Sequence, residues 1–251
     1  MSSDNKLAIL EHLTELRQRL IRSVIAVLIT TIASFVFARQ IFNILISPTE
    51  GIDLIFIEMT EMIGTYMKVS LASGIVIAMP YLVYQLLMFV SPALSRREKK
   101  YIYVIVPWIA LMFAVGIVFG YFILIPPATK FLITFGSDIA TPQIKIGNYI
   151  SIVTRFLLAI GLVFEMPVVT TFLSRIGVIT PKWLADRRKP AIVFAFLIAA
   201  IITPTFDPIN QSLVAIPLVI LYELSIWLSK LVQKKEVPVA TSEPPPDTHH
   251  L

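Results

Sequence analysis

Apolar and polar positions divide the 251-residue chain into long apolar runs separated by short polar blocks. Runs near 21–38, 67–89, 101–126 and 149–173 come close to or exceed the roughly 20 residues that a helix needs to cross hydrocarbon. Two later runs are shorter. Between Pro190 and Pro204 stand 13 residues, "AIVFAFLIAAIIT", which as helix reach only about 20 Å against a core of about 30 Å. After the loop "PTFDPINQ", a last run covers 212–229. This pair reads either as two short spans or as one re-entrant hairpin, and both return the chain to the same side. As spans, they predict a locally thinned bilayer. The pattern therefore predicts an all-α polytopic membrane protein. Residues 1–235 form one domain with six transmembrane helices (21–38, 67–89, 101–126, 149–173, 191–203 and 212–229), and a disordered tail covers 236–251.

Composition agrees: 57% of residues are hydrophobic and 15% charged, with a mean hydropathy of +0.82, more apolar surface than one soluble core buries. Lys and Arg set the orientation. Sixteen of the 21 fall in the segment up to Arg22, in "SRREKK", in 175–189 and in 230–235. Arg39, Lys68, Lys130, Lys145 and Arg155 are left for the other face. The solution is six spans with both termini in the cytoplasm. The basic residues lie in blocks between apolar runs, as topology signals do, which argues against nucleic acid despite a net charge of +5. The first twenty residues lack the apolar region and small-residue cleavage site of a secretory signal, so the N-terminus is expected to be retained. No cysteine is present, which closes disulfide, thiolate-metal and thiol-nucleophile chemistry. The tail "EVPVATSEPPPDTHHL" is proline-rich and polar, and His249 and His250 read either as a metal pair or as a solvated end.

Pro80, Pro107, Pro167 and Pro217 each stand inside an apolar run, where each removes a backbone hydrogen bond and favours a kink. Four together predict bent helices and a concave surface. In "HLTELRQRLIRS", Leu13, Leu16, Leu20 and Ile21 recur at helical spacing, with Glu15, Arg19 and Arg22 on another face. This is an amphipathic helix that runs into the first span. Glu98 sits among four basic residues in the loop after the second span. Glu165, in "LVFEMPVV", is an acid at a depth where charge costs at least about 2.5 kcal/mol. It stands ten residues from both Arg155 and Arg175, about 15 Å of helix, so it pairs with neither along a straight helix. Gly161 lies one turn earlier on the same face and would admit a neighbour, while Pro167 frees the carbonyl of Val163. Glu165 thus reads as a polar docking point, a structural hydrogen bond or a proton relay. Glu223, nearer the cytoplasmic face, reads as structural.

Five segments occur in order: "HLTELRQRL" at 12–20, Pro48, "FVSPALSRREKK" at 89–100, "FEMPVV" at 164–169 and "QSLVAIP" at 211–217. Together they resemble the TatC family, the multispanning subunit of the twin-arginine protein translocase, over about 7–235. The resemblance implies six transmembrane helices with a cytoplasmic N-terminus in the bacterial-type inner membrane. It also implies recognition of signal peptides bearing two consecutive arginines, on proteins exported already folded by the protonmotive force. By that resemblance Glu15 and Glu98 receive the two arginines. Leu16, Arg17, Phe89 and Pro92 support the surface, and single-span subunits of the TatA/TatB type, further copies of the chain and membrane lipid are its partners. Asp207 resembles a family acid, although "TPTFDPINQ" is one residue longer than the commoner spacing; Pro48 and Gln211 belong to matched segments.

The chemistry is compatible. Two guanidinium groups are best met by separate carboxylates, each taking a bidentate pair worth roughly 1.5–3 kcal/mol, and lysine cannot copy that fork. No Walker A pattern is present, so neither nucleotide hydrolysis nor a cofactor is inferred. Two rival readings remain. A proton-coupled solute transporter would use an intramembrane acid and broken helices, although no internal repeat is visible. A membrane-embedded enzyme lacks an HExxH or GxSxG motif, and His12 is the only histidine outside the tail.

Overall fold

The computed structural model describes residues 3–49, 54–90, 96–135, 139, 143–203 and 207–233, with backbone alone for 3–9, 11, 90 and 96–101. Ten α-helices carry almost all of it: α1 (Ser3–Val36), α2 (Ala38–Ile46), α3 (Glu61–Val90), α4 (Arg96–Phe119), α5 (Ile125–Thr134), α6 (Ile146–Phe164), α7 (Met166–Arg175), α8 (Pro181–Asp186), α9 (Arg188–Ile202) and α10 (Pro208–Val232). Two two-residue strands, β1 (Leu54–Ile55) and β2 (Ile144–Lys145), pair in parallel, Leu54 opposite Ile144.

Five segments are long and apolar enough to cross a membrane: His12–Val36, Glu61–Phe89, Ile102–Thr134, Ile146–Arg175 and Pro208–Val232. The remaining short span is α9, whose 15 residues rise only about 22 Å. Its partner is not short: α10 has 25 residues, about 37 Å, and extends past the expected 212–229 at both ends. α10 is therefore long enough to cross outright, which the re-entrant reading did not require.

Helix α6 is central. Of its span, 56% is buried, against 6% for the span of α1. Ile150, Val153, Phe156 and Ile160 of α6 form one core with Ala195 and Ala199 of α9 and with Val214, Ala215 and Leu218 of α10. Ile102, Ile109 and Phe113 of α4 form a second with Met79, Val83 and Leu87 of α3 and Val168 and Phe172 of α7.

Polar ties mark the two ends of the bundle. At one, Arg19 of α1 meets Gln85 of α3, Tyr84 of α3 stands 6.2 Å from Tyr103 of α4, and Arg175 of α7 donates to the Val232 carbonyl of α10. At the other, Glu61 accepts the Gly147 N–H at 3.0 Å, and the hydroxyls of Tyr121 and Tyr149 donate to the carbonyls of Ile44 and Leu45. α9 and the start of α10 lie between these limits. Tyr222 donates to the Leu184 carbonyl and Arg188 pairs with Glu223, about 13 Å of helix short of Val232. Thr203 and Asn210 share a small cavity with Phe156, about 15 Å inside the start of α6. Glu223 is thus structural, as expected.

Proline acts less uniformly than expected. Pro80, Pro107 and Pro217 lie within helices that continue through them. Only at Pro167 does the helix break, with α6 ending at Phe164 and α7 starting at Met166. The third span runs past 126 to Thr134 because a π segment, Gly120–Leu124, precedes Pro126 and Pro127. One extra residue per turn restarts the helix so that both prolines fall in its first turn, where their missing N–H groups are not needed.

Two close crossings set the helix positions. α3 approaches α1 at Gly74, where a β-carbon would meet Thr31 Oγ1 and stand 2.7 Å from its Cα; Thr30 Oγ1 donates to the Gly74 carbonyl at 2.8 Å. α4 approaches α6 at Gly116, where a β-carbon would stand 2.9 Å from the Gly161 Cα. Small residues let helix backbones touch where no hydrophobic effect drives them together. Gly74→Val is expected to destabilise the protein by about 1–3 kcal/mol through overpacking, seen as a lower thermal midpoint in detergent. Gly64→Ala, where nothing lies within 4 Å, should leave the midpoint unchanged or raised.

Candidate functional site

The amphipathic stretch and the first span form one uninterrupted helix, α1. The apolar stripe at Leu13, Leu16 and Leu20 remains 43–61% exposed, so it faces away from the bundle and is open to lipid or to another chain. On the other face Glu15 lies one turn before Arg19. Glu15 Oε1 accepts from Arg19 Nε at 2.9 Å and from Nη2 at 2.5 Å. Arg19 Nη1 reaches across to Gln85 Oε1 at 3.2 Å, and Gln85 Nε2 donates to the Tyr81 hydroxyl at 2.6 Å.

This chain of contacts fixes Glu15. An exposed pair four residues apart on a helix is worth only about 0.3–0.5 kcal/mol. Arg19, however, is also held by the buried Gln85, so it meets the carboxylate with little freedom left to lose. Only one oxygen of Glu15 is engaged; among the described residues Oε2 accepts nothing, and the side chain is 30% exposed. The group can therefore take a second guanidinium.

Phe89, at the end of α3, stacks on His12 with ring centroids 4.3 Å apart. It therefore stands beside α1, one turn from Glu15. Arg17 and Leu16 are exposed on the same helix. Pro92 and the side chain of Glu98 lie outside the described residues, while the backbone of Glu98 is in the first turn of α4. Its level follows from topology. α1 and α4 both run antiparallel to α3, and Arg19, Tyr84 and Tyr103 mark a common height. Glu15 lies four residues before Arg19 and Glu98 five before Tyr103, about 6 and 7 Å toward the same end. The fold thus brings two acids remote in sequence to one end and one height, each next to α3.

The interior candidates fare differently. Glu165 is 3% exposed, and neither carboxyl oxygen has a hydrogen-bond partner among the described residues. The neighbour that Gly161 admits is α4: a β-carbon there would stand 2.7 Å from Phe113 Cε2 and 3.1 Å from Ile117 Cδ1. Pro167 is buried at the start of α7. Pro48 lies in a 3₁₀ turn, Ser47–Thr49. Asp207 caps α10, with Oδ1 accepting the Asn210 N–H at 2.8 Å, and Gln211 donates to the Phe196 carbonyl, tying α10 to α9.

Sequence reading missed Gln85 and Tyr81 as supports of this site. The signal was available: Gln85 is the one amide in "YLVYQLLMF", and a buried amide requires partners. Glu61 was also passed over, although it clamps the far end by accepting the N–H groups of Ile57 and Gly147.

Comparison with known proteins bears on this arrangement. Residues 11–217 match the family model of TatC, the Sec-independent protein translocase protein. A Sec-independent protein translocase protein TatC from Carboxydothermus hydrogenoformans is 41% identical over 235 residues, which cover 93% of this chain and 97% of that protein. One from Aquifex aeolicus is 44% identical over 232 residues, covering 90% and 96%. A crystal structure of the twin arginine translocase receptor TatC superimposes with a TM-score of 0.77 at 44% identity, covering 88% of this chain and 99% of that one. A second, in DDM, gives 0.79 at the same identity over 87% and 99%.

Gln85→Leu keeps the volume and strands both Arg19 Nη1 and the Tyr81 hydroxyl. It is expected to destabilise by about 1–3 kcal/mol, read as a lower thermal midpoint in detergent. A midpoint equal to that of the parent would show that this tie does not hold α1 to α3.

Proposed function

This chain belongs to the TatC family of Sec-independent protein translocase proteins, and from that premise we propose that it is the receptor subunit that binds twin-arginine signal peptides, with Glu15 and Glu98 taking the two arginines. The observation that carries the reading is the half-used carboxylate of Glu15. It is already aligned by a guanidinium on Oε1, while among the described residues Oε2 accepts nothing and can take a second. Arg19 occupies Glu15 as an incoming arginine would, so the resting site is held in a shape complementary to its ligand. The shared height of Glu98 on α4 supports a second subsite. Two such subsites separate a twin-arginine from a twin-lysine signal, because an ammonium cannot make the bidentate pair.

In this reading the end that carries Glu15 and Glu98 faces the cytoplasm, as does Val232 at the end of α10, and the chain sits in the cytoplasmic (inner) membrane. The 16 basic residues of the four blocks support that orientation. The exposed face of α1 and the apolar outer faces of α9 and α10 suit single-span partner subunits of the translocase and further copies of this chain. The role is transport rather than catalysis. Glu165 is proposed as a polar docking point for a group supplied by another chain; neither carboxyl oxygen has a partner among the described residues, which supports this, because an unmet buried carboxyl is costly. Replacing it with Gln removes titration and keeps hydrogen bonding. Full export by Glu165→Gln is the expected result, and loss of export in that variant would favour a relay.

The recognition site is tested by capture of a twin-arginine precursor on the purified protein. Glu15→Gln and Glu98→Gln are each expected to weaken capture roughly tenfold or more while leaving membrane insertion intact, and a twin-lysine precursor should be lost equally. Undiminished crosslinking of the signal arginines in both variants, or equal capture of both precursors, would overturn the assignment.

A further inference from the structure

Lys68 and Arg155 are two of the five basic residues outside the four blocks, and the fold gathers them on one residue. Lys68 Nζ donates to Ser151 Oγ at 3.0 Å, and Arg155 Nε donates to the Ser151 carbonyl at 2.9 Å. The proton of Ser151 Oγ goes to the Gly147 carbonyl at 2.5 Å, leaving its lone pairs turned to the lysine. Both cations are exposed and rim a notch of about 280 Å³ between α3 and α6, with Leu71, Ile75 and Leu158 along it.

Their depth makes the pairing informative. Lys68 stands seven residues from the start of α3 and Arg155 nine from the start of α6, about 10 and 13 Å along the axes, inside spans that face hydrocarbon. Neither has an acidic partner: among the described residues the ion pairs are Glu15–Arg19 and Arg188–Glu223. Two like charges side by side in a poorly polarisable layer repel each other and are expensive unless an anion joins them. Their long stems can lift the charged heads toward the nearer interface.

We propose that this notch binds the headgroup phosphate of an anionic phospholipid from the adjacent leaflet, with Lys68 and Arg155 on the phosphate and an acyl chain along Ile75 and Leu158. Charge selects the class: two cations meet the phosphate, and among the described residues that line the notch there is no carboxylate to receive a choline or ethanolamine. Position selects a lipid over free phosphate. Ile75 and Leu158 lie deeper along α3 and α6 than the two cations, which is where a tail descends from its headgroup. The site draws a headgroup below the normal interface, on the same side as the recessed loop end of the α9–α10 pair. It is separate from the signal-recognition end and does not rest on the roles of Glu15 and Glu98.

The test is native mass spectrometry of the full chain in detergent, titrated with phosphatidylglycerol and with phosphatidylcholine of the same acyl chains. Each cation near an anionic headgroup contributes about a fivefold preference, so the parent is expected to retain one phosphatidylglycerol about 25-fold more tightly. Lys68→Gln/Arg155→Gln should lose that preference and still hold phosphatidylcholine as the parent does. Lys130→Gln, exposed on α5 outside the notch, should keep it. Three results would overturn the proposal: equal retention of both lipids by the parent, as when a partner's carboxylate completes the notch; an unchanged preference in the double variant; or displacement of the lipid by millimolar inorganic phosphate.

Discussion

The contact on which the recognition end depends is the crossing of α1 and α3 at Gly74. Only 6% of the α1 span is buried, and its hold on the bundle is almost wholly along α3, where Arg19 on Gln85 and His12 on Phe89 add to this crossing. The absence of a side chain at Gly74 lets the backbone of Thr31 come within van der Waals range, and the Thr30 hydroxyl closes on the Gly74 carbonyl. In hydrocarbon such a contact works through close packing and a hydrogen bond, because lipid tails are as apolar as the side chains they replace. Sixteen residues toward the N-terminus of α1, the same alignment brings Glu15 level with the end of α3. The proposed receptor surface at this end of the bundle is thus positioned by a contact deep within it.

The second crossing, of Gly116 on Gly161, organises the other half. It brings α4 across α6 just before α6 breaks at Glu165, and Phe113 fills the space over Gly161. The break, the buried acid and the crossing share one neighbourhood for a physical reason. Pro167 cannot donate to the turn before it, and protein packed on that turn keeps the disturbed backbone away from lipid. Glu165 enters the interior at the interruption and finds no partner among the described residues, which is the basis for proposing that another chain supplies one.

The membrane-facing surface carries two departures from a simple bundle. α9 rises about 22 Å, and its loop end stops well inside the start of α6. On the same side, Lys68 and Arg155 lie below the helix starts on a common serine. Both features favour a thinner hydrocarbon layer there: the short helix by mismatch, the cations by attracting phosphate inward. At the opposite end, the start of α9 is joined to α10 by the ion pair of Arg188 with Glu223 and by the Tyr222 hydroxyl on the Leu184 carbonyl just before it.

How much of this was legible in the sequence depends on the range of the physics. The spans and the shortness of α9 were legible, because length and apolarity are local properties read directly against bilayer thickness. The pairing of Glu15 with Arg19 was legible at helical spacing. The end of the third span was not, because the π segment that admits Pro126 and Pro127 has no sequence period of its own, and α10 was read too short because Pro208 and Asp207 looked like loop instead of first turn and cap. What only the tertiary structure decided are the relations between helices: Gln85 behind Arg19, Phe89 on His12, Phe113 in the space over Gly161, Lys68 beside Arg155. Each joins residues tens of positions apart. Their meeting is set by which small residues let two backbones touch, a property of paired surfaces that no single stretch of sequence contains.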